Sequence, residues 1–268
     1  MDEDQLARRI VAAVDGLPVP PARPSWDPRA SSRRSVLPFR AMALAAASIA
    51  FVFVIAPLIV SSVRPASSET KVVVFADDFT GGINTNRWTP MGASTGYSVQ
   101  AVNGAVELTL EANATIGTSG WMNANLGSLR CVARGDYEVS IDYTLLDWPS
   151  ANGTQFVLGE FPPGQVNVRR DQFQTERYAA SDNSGHAAIA PTEDRAGSLR
   201  LVRHGTSVVG SYRAGADRPW VELPAQLTSP FDATFQIFLW SDGKNFAGKK
   251  VRVAVDNFRL AATNVVCL

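Results

Sequence analysis

The chain has 268 residues, 46% of them hydrophobic and 19% charged, a balance that excludes a wholly disordered protein. Its 25 basic and 25 acidic residues cancel, so no whole-molecule field draws it to nucleic acid. Two cysteines exclude a four-cysteine zinc site, and two histidines leave little for a histidine-built metal centre.

Residues 1–40 open with a short amphipathic helix. Leu6, Ile10, Ala13, Val14 and Leu17 recur at spacings of three and four, behind Asp2, Glu3 and Asp4, whose charges favour a helix start. Gly16 and Pro18 supply a stop, and the prolines from Pro18 to Pro38, interleaved with arginines, make an extended linker. A lone helix of about 12 residues is marginal in water. The segment therefore reads either as a docking peptide for a cytoplasmic protein or as a leader without function.

Residues 41–63 carry no ionisable side chain and include Leu44, Ile49, Phe51, Phe53, Ile55 and Leu58. A bilayer core needs about 20 apolar residues at 1.5 Å rise each, and this run supplies them, so it is predicted to be a transmembrane helix. A buried soluble helix would show a polar face, and a signal peptide has a shorter apolar run behind a shorter leader. Arg33, Arg34 and Arg40 precede the span closely, whereas Arg64 alone follows it before Lys71. The positive-inside rule then puts residues 1–40 in the cytoplasm, and places the linker 64–70 and the domain 71–268 outside. Cys131 and Cys267 both fall on the outer side, where oxidation is permitted. They form either one disulfide or two separately buried thiols.

Strand-like runs follow at intervals of ten or so residues. Val72 to Phe75 opens the series. Val106, Leu108 and Leu110 alternate with polar or small neighbours, as do Tyr137, Val139, Ile141 and Tyr143, and Phe235, Ile237 and Leu239. Two runs flank His204-Gly205-Thr206 as a hairpin. Val251, Val253 and Val255 alternate too, but Phe258 and Leu260 are out of phase with them, which predicts a β-bulge near Asp256-Asn257. No helical period recurs after the span. The outer domain is thus read as all-β, one antiparallel β-sandwich of about 200 residues.

These strands carry a resemblance. Phe75-Ala76-Asp77-Asp78-Phe79, Asn86-Arg87-Trp88, and the run from Val102 to Leu108 are similar to the opening of concanavalin A-like lectin/glucanase jelly rolls. Gly135 to Tyr143, with Asp147-Trp148-Pro149, resembles bacterial extracellular members, as does Leu199 to Gly205 continuing to Tyr212 and Trp220. Val253 to Leu260 resembles their last strand. The resemblance covers residues 71 to 262 and rests on motif order, each motif alone being weak. It implies a jelly roll of two antiparallel sheets, one concave, with glycan recognition as its commonest use; a fold does not by itself fix a function.

Hydrolases of that superfamily place carboxyls in a Glu-x-Asp-x-Glu pattern on one strand, and this sequence lacks it. Glu138 and Asp142 share a face but stand about 13 Å apart along a strand, beyond the separation two catalytic carboxyls need. Glu160 is a lone acid near a proline turn. No Gly-x-Ser-x-Gly elbow occurs, and His186 and His204 lie in glycine-flanked loops as solvated side chains.

Sugar binding would use exposed rings with polar groups at their edges. Trp121, Tyr97 and Tyr178, in polar surroundings, are the candidates, while Trp88, Trp148, Trp220 and Trp240 sit in strand motifs and are expected in the core. The first and last strands of such sandwiches often lie side by side. Asp77, Asp78 and Asp256 are accordingly candidate ligands for a structural calcium ion, the alternative being that they bind turn amides or arginines. No cofactor is required. The sequence reads as a membrane-anchored, extracytoplasmic, non-catalytic carbohydrate-binding protein whose partners are the lipid bilayer and a glycan or cell-wall polysaccharide. One alternative is a signalling protein that holds a cytoplasmic regulator at residues 1–40, as membrane-bound anti-sigma proteins do. A second is a glycoside hydrolase.

Overall fold

Period-2 alternation decides the architecture. Val106, Leu108, Val139, Ile141, Phe235, Ile237, Leu239, Val251, Val253 and Val255 are all fully buried, while Glu107, Glu138 and Arg252 between them reach water. Each such strand buries one face, and two sheets closing on each other bury both sets. The computed structural model describes residues 73–92, 95–117, 120–161, 166–173 and 175–267. The predicted N-terminal helix, transmembrane helix and linker 64–70 lie outside them. Among the described residues no helix is long and apolar enough to cross a membrane.

The described strands are β1 (Val73–Asp77), β2 (Met91–Gly92), β3 (Thr95–Val102), β4 (Ala105–Thr115), β5 (Met122–Ser128), β6 (Cys131–Asp147), β7 (Gln155–Phe161) and β8 (Asn167–Asp171). They continue as β9 (Arg177–Ser181), β10 (Ala187–Pro191), β11 (Ala196–His204), β12 (Ser207–Arg213), β13 (Val221–Glu222), β14 (Leu227–Thr228), β15 (Thr234–Ser241) and β16 (Val251–Cys267). One sheet runs β13-β12-β11-β6-β16-β4-β3, with β1 on β16 and β14 on β12; the other runs β10-β9-β8-β7-β15-β5-β2. All pairings are antiparallel, as the sequence predicts for a sandwich.

β16 is the spine of the nine-stranded sheet. Its first half, Val251–Val255, pairs with β4, and its second half, Phe258–Ala262, pairs with β1. Between them the β6 register jumps from Asp256 to Arg259, and Asn257 takes φ 52°. That is the predicted bulge. It re-phases the strand so that Phe258 and Leu260 face the core like the valines before them. The ladder ends at Cys267 opposite Cys131, and those two residues form a disulfide spanning 136 positions. The predicted hairpin is β11–β12, with Gly205 at φ 60° in its two-residue turn.

Aromatic contacts knit the two sheets together. Tyr137 of β6 meets Phe235 of β15 edge-to-face with centroids 5.0 Å apart, and Trp88 meets Phe258 at the same distance. Gly127 makes a second close approach possible. At φ 99° it leaves a β-bulge in β5, and a Cβ there would stand 1.8 Å from the Thr89 carbonyl oxygen.

Candidate functional site

The outer face of the seven-stranded sheet carries a cavity of about 530 Å³. Antiparallel register sets its floor in three rows across the strands. The first row is Asn123, Trp240 and Gln155, continuing to Asp171 and Arg177. The second is Met91, Asn125, Phe238 and Val157, continuing to Arg169 and Ala179. The third is Gln236, Gly159 and Asn167, continuing to Ser181. Trp121, 44% exposed, and Phe161 stand at the margins of the cavity.

Two features of this floor are chemical. Five amide side chains, Asn123, Asn125, Gln155, Asn167 and Gln236, line it beside the rings of Trp121, Phe161, Phe238 and Trp240. Amides both donate and accept hydrogen bonds, and rings offer apolar faces. Gly159 lies in this floor without a side chain, and a Cβ there would meet the Phe238 ring, Val157 and Asn167 at ordinary contact distances of 3.7–3.8 Å.

Glu160 is the one acid among the described lining residues; its Oε1 is engaged on the core side, and its buried Oε2 has no hydrogen-bond partner. Its position in β7 alternates with the floor residues, toward Phe156, Leu158 and the core. There Ser229 Oγ donates to Oε1 at 2.7 Å, and the Arg203 guanidinium stands 3.7 Å away. Burial pushes the Glu160 carboxyl up, against the lowering effects of Ser229 and Arg203.

Of the predicted ring contacts, Trp121 lines the cavity. Tyr97 is exposed on β3 but lies outside the lining, its ring covering Gly92. Tyr178 has no exposed surface and is not available to a ligand. Strand alternation turns it inward, where its ring stacks on Tyr212 with centroids 3.8 Å apart. Its hydroxyl shares a hydrogen bond with the Tyr143 hydroxyl at 2.8 Å and donates to Asp194 Oδ2 at 3.0 Å. Trp88 and Trp148 are in the core, as expected. Trp240 is on the cavity floor instead, because it shares the phase of Gln236 and Phe238 and not that of Ile237 and Leu239. Trp220 is also outside the core, held between the guanidiniums of Arg200 and Arg213 at 4.3 and 4.7 Å.

The acids expected at a calcium ion have other partners. Asp77 accepts from the Phe79 amide through Oδ1 and from the Trp88 indole through Oδ2. Asp78 caps Thr80, and Asp256 accepts from the Asn257 amide. Among the described residues no group of three or more histidine, cysteine or acidic side chains is placed to hold a metal ion. Burial, with the charges of Asp142 and Asp78, raises the Asp256 carboxyl despite its bond to Asn257. Glu138 and Asp142 face outward on the nine-stranded sheet, away from the cavity, paired with Arg200 and with Arg213. His186 and His204 are exposed and lie against Asp182 and Asp136.

No protein-family model matches the chain, and no curated protein matches it in sequence. Solved structures do share its fold. One comes from work on endo-acting O-glycanases that prominent members of the human gut microbiota express to initiate mucin breakdown. It aligns at TM-score 0.52 and 14% identity, covering 71% of this chain and 99% of that one. The GH43 protein BlXynB of Bacillus licheniformis aligns at TM-score 0.50 and 15% identity, over 70% of this chain and 39% of that one. SCLam, a non-specific endo-β-1,3(4)-glucanase of family GH16, aligns at TM-score 0.48 and 12% identity, over 72% of this chain and 92% of that one. The first two likenesses show the fold, a jelly-roll sandwich of two antiparallel sheets, and leave the function to the site.

Proposed function

We propose that this chain is a membrane-anchored, extracytoplasmic glycan-binding protein that holds a polysaccharide segment in the cavity of the seven-stranded sheet without cleaving it. The observation that carries this reading is the floor itself, amides interleaved with aromatic rings around a glycine. Sugar hydroxyls need groups that both donate and accept, and sugar C–H faces need flat apolar surfaces. A volume of about 530 Å³ lies within the ~300–1,000 Å³ range of small-ligand clefts. Glycosidic cleavage needs two facing carboxyls about 5–9.5 Å apart. The described lining holds one acid, Glu160, whose Oε1 is engaged by Ser229 on the core side, and the lack of a second facing carboxyl among the described lining residues favours binding over hydrolysis.

Anchoring and orientation are supported by the uncharged run 41–63 and the arginines before it. The Cys131–Cys267 disulfide supports an oxidising compartment.

Binding is tested with the full-length chain in detergent, first on a glycan array and then by calorimetric titration with the polysaccharides retained. Gly159→Leu projects a side chain into the cavity from a position whose Cβ meets only ordinary contacts. It is expected to weaken binding by at least about tenfold at an unchanged unfolding midpoint. An array on which no glycan is retained would sink the proposal. Reducing ends that accumulate with the wild type but not with Glu160→Gln would replace it with the hydrolase reading.

A further inference from the structure

The rows that build the cavity floor do not stop at its edge. Arg169 lies directly opposite Val157 on the adjacent strand, and Asp171 lies opposite Gln155, with Arg177 next in that row. Facing residues in neighbouring strands have Cβ atoms about 5 Å apart, so these side chains adjoin the cavity on the same face. Among the described strand residues of that face, Arg169, Asp171 and Arg177 are the charged ones; the rest are amides, rings, hydroxyls and aliphatic side chains.

The internal pairing of this trio is incomplete. Asp171 is fully buried and accepts from the Phe173 amide through Oδ1 and from Arg177 Nε and Nη2 through Oδ2. Arg169 Nη1 donates to Asn167 and Ser181, but its buried Nε has no acceptor within hydrogen-bond reach, the nearest Asp171 oxygen standing 3.6 Å away. Two guanidiniums against one carboxylate leave a single positive charge beside a cleft whose lining acid, Glu160, turns toward the core. Arg177, whose side chain is 27% exposed, presents the reachable part of that charge, and an exposed guanidinium gains from an anion that brings its own acceptors.

We propose that the cleft extends across Val157 onto Arg169 and Arg177, and that its glycan carries an anionic group there, the carboxylate of a uronic acid. The inference rests on the glycan-binding reading above and adds the substrate class. A carboxylate makes charge-assisted hydrogen bonds to guanidinium groups, and one net charge suits one uronate per subsite. A sulfate ester shares that chemistry.

The test uses the full-length wild-type chain. Polyglucuronate, polygalacturonate and alginate oligomers are each titrated beside the same oligomer after its carboxyls are reduced to alcohols. At least one acidic form is expected to bind about tenfold more tightly than its reduced partner, an advantage that fades as added salt screens the charge. Arg177→Gln and Arg169→Gln should bring the ratio of acidic to neutral affinity close to one, with folding checked by the unfolding midpoint. Dextran sulfate that competes with the uronate and loses its advantage in Arg177→Gln would also support the anion subsite, with sulfate as its guest. If reduced oligomers bind as well as acidic ones, the anion subsite is wrong while glycan binding stands. If neither form nor any neutral glycan binds, both proposals fall together.

Discussion

At the residue scale the molecule separates polar groups that hold the fold from polar groups that face the cleft. Glu107 belongs to the first kind. Both its carboxylate oxygens accept from Arg252, at 2.8 Å each, and Arg252 reaches on to Asp147 at 3.2 Å. The hydrogen bonds from Arg252 hold the Glu107 carboxyl below its ordinary value of 4.5. A carboxylate with a lowered folded value stabilises the fold above its unfolded value, and that contribution fades as pH falls through the folded one. Glu107→Gln is therefore expected to cost about 0.5–1 kcal/mol at pH 7, and less below pH ~4.5. Urea unfolding of both proteins at pH 7 and pH 3 measures this, and an equal difference at both pH values would contradict it. The outward position of Glu107 is readable from its alternation with Val106 and Leu108, but its partner 145 positions away is not. The same limit explains the rings. Trp121 stands beside glycine in a polar loop and declares its exposure. Tyr178 and Trp240 exchange their expected places because local polarity does not reveal which face of a strand meets the other sheet.

At the scale of elements, β6 and β16 decide how much of the chain acts as one body. Both run 17 residues, and their shared ladder closes at the Cys131–Cys267 disulfide. The loop between those cysteines contains most of both sheets, so the crosslink removes a large part of the unfolded chain's freedom. The chain-entropy model gives about 4–5 kcal/mol for a loop of this length. Cys131→Ser combined with Cys267→Ser should lower stability by that order, and the wild type under reductant should lose a similar amount. Denaturant midpoints that stay the same in all three states would contradict the assignment. The bulge at Asp256-Asn257 and the β11–β12 hairpin are legible because phase shifts and glycine turns are local signals. The sheet order is not, since β16 alone pairs with β1, β4 and β6 from distant parts of the sequence. The cavity inherits that illegibility: its floor is a set of cross-strand rows, and only assembled strands bring Gln155, Gln236 and Asn123 side by side.

At the scale of the whole molecule, the reading joins a disulfide-closed sandwich to an uncharged run too long for an ordinary buried helix. These features constrain each other. A cytoplasmic sandwich would sit among reducing thiol systems, where the Cys131–Cys267 bridge would be hard to keep. Under the proposed export the same bridge would be stable and the cleft would face the outer side. The proposed orientation rests on Arg33, Arg34 and Arg40 before the uncharged run against Arg64 after it. Protease added to intact cells, after opening any outer membrane, should therefore digest a tag placed after residue 268 and spare one placed before residue 1. The same cells, lysed with a thiol-blocking reagent, should yield a chain whose two cysteines resist alkylation until reduced. Full-length chain recovered in the soluble fraction with both thiols free would contradict the anchor and the compartment at once. Protection of the C-terminal tag, with digestion of the N-terminal one, would contradict the proposed orientation. Oxidised thiols in those cells would also contradict the link between the bridge and the compartment.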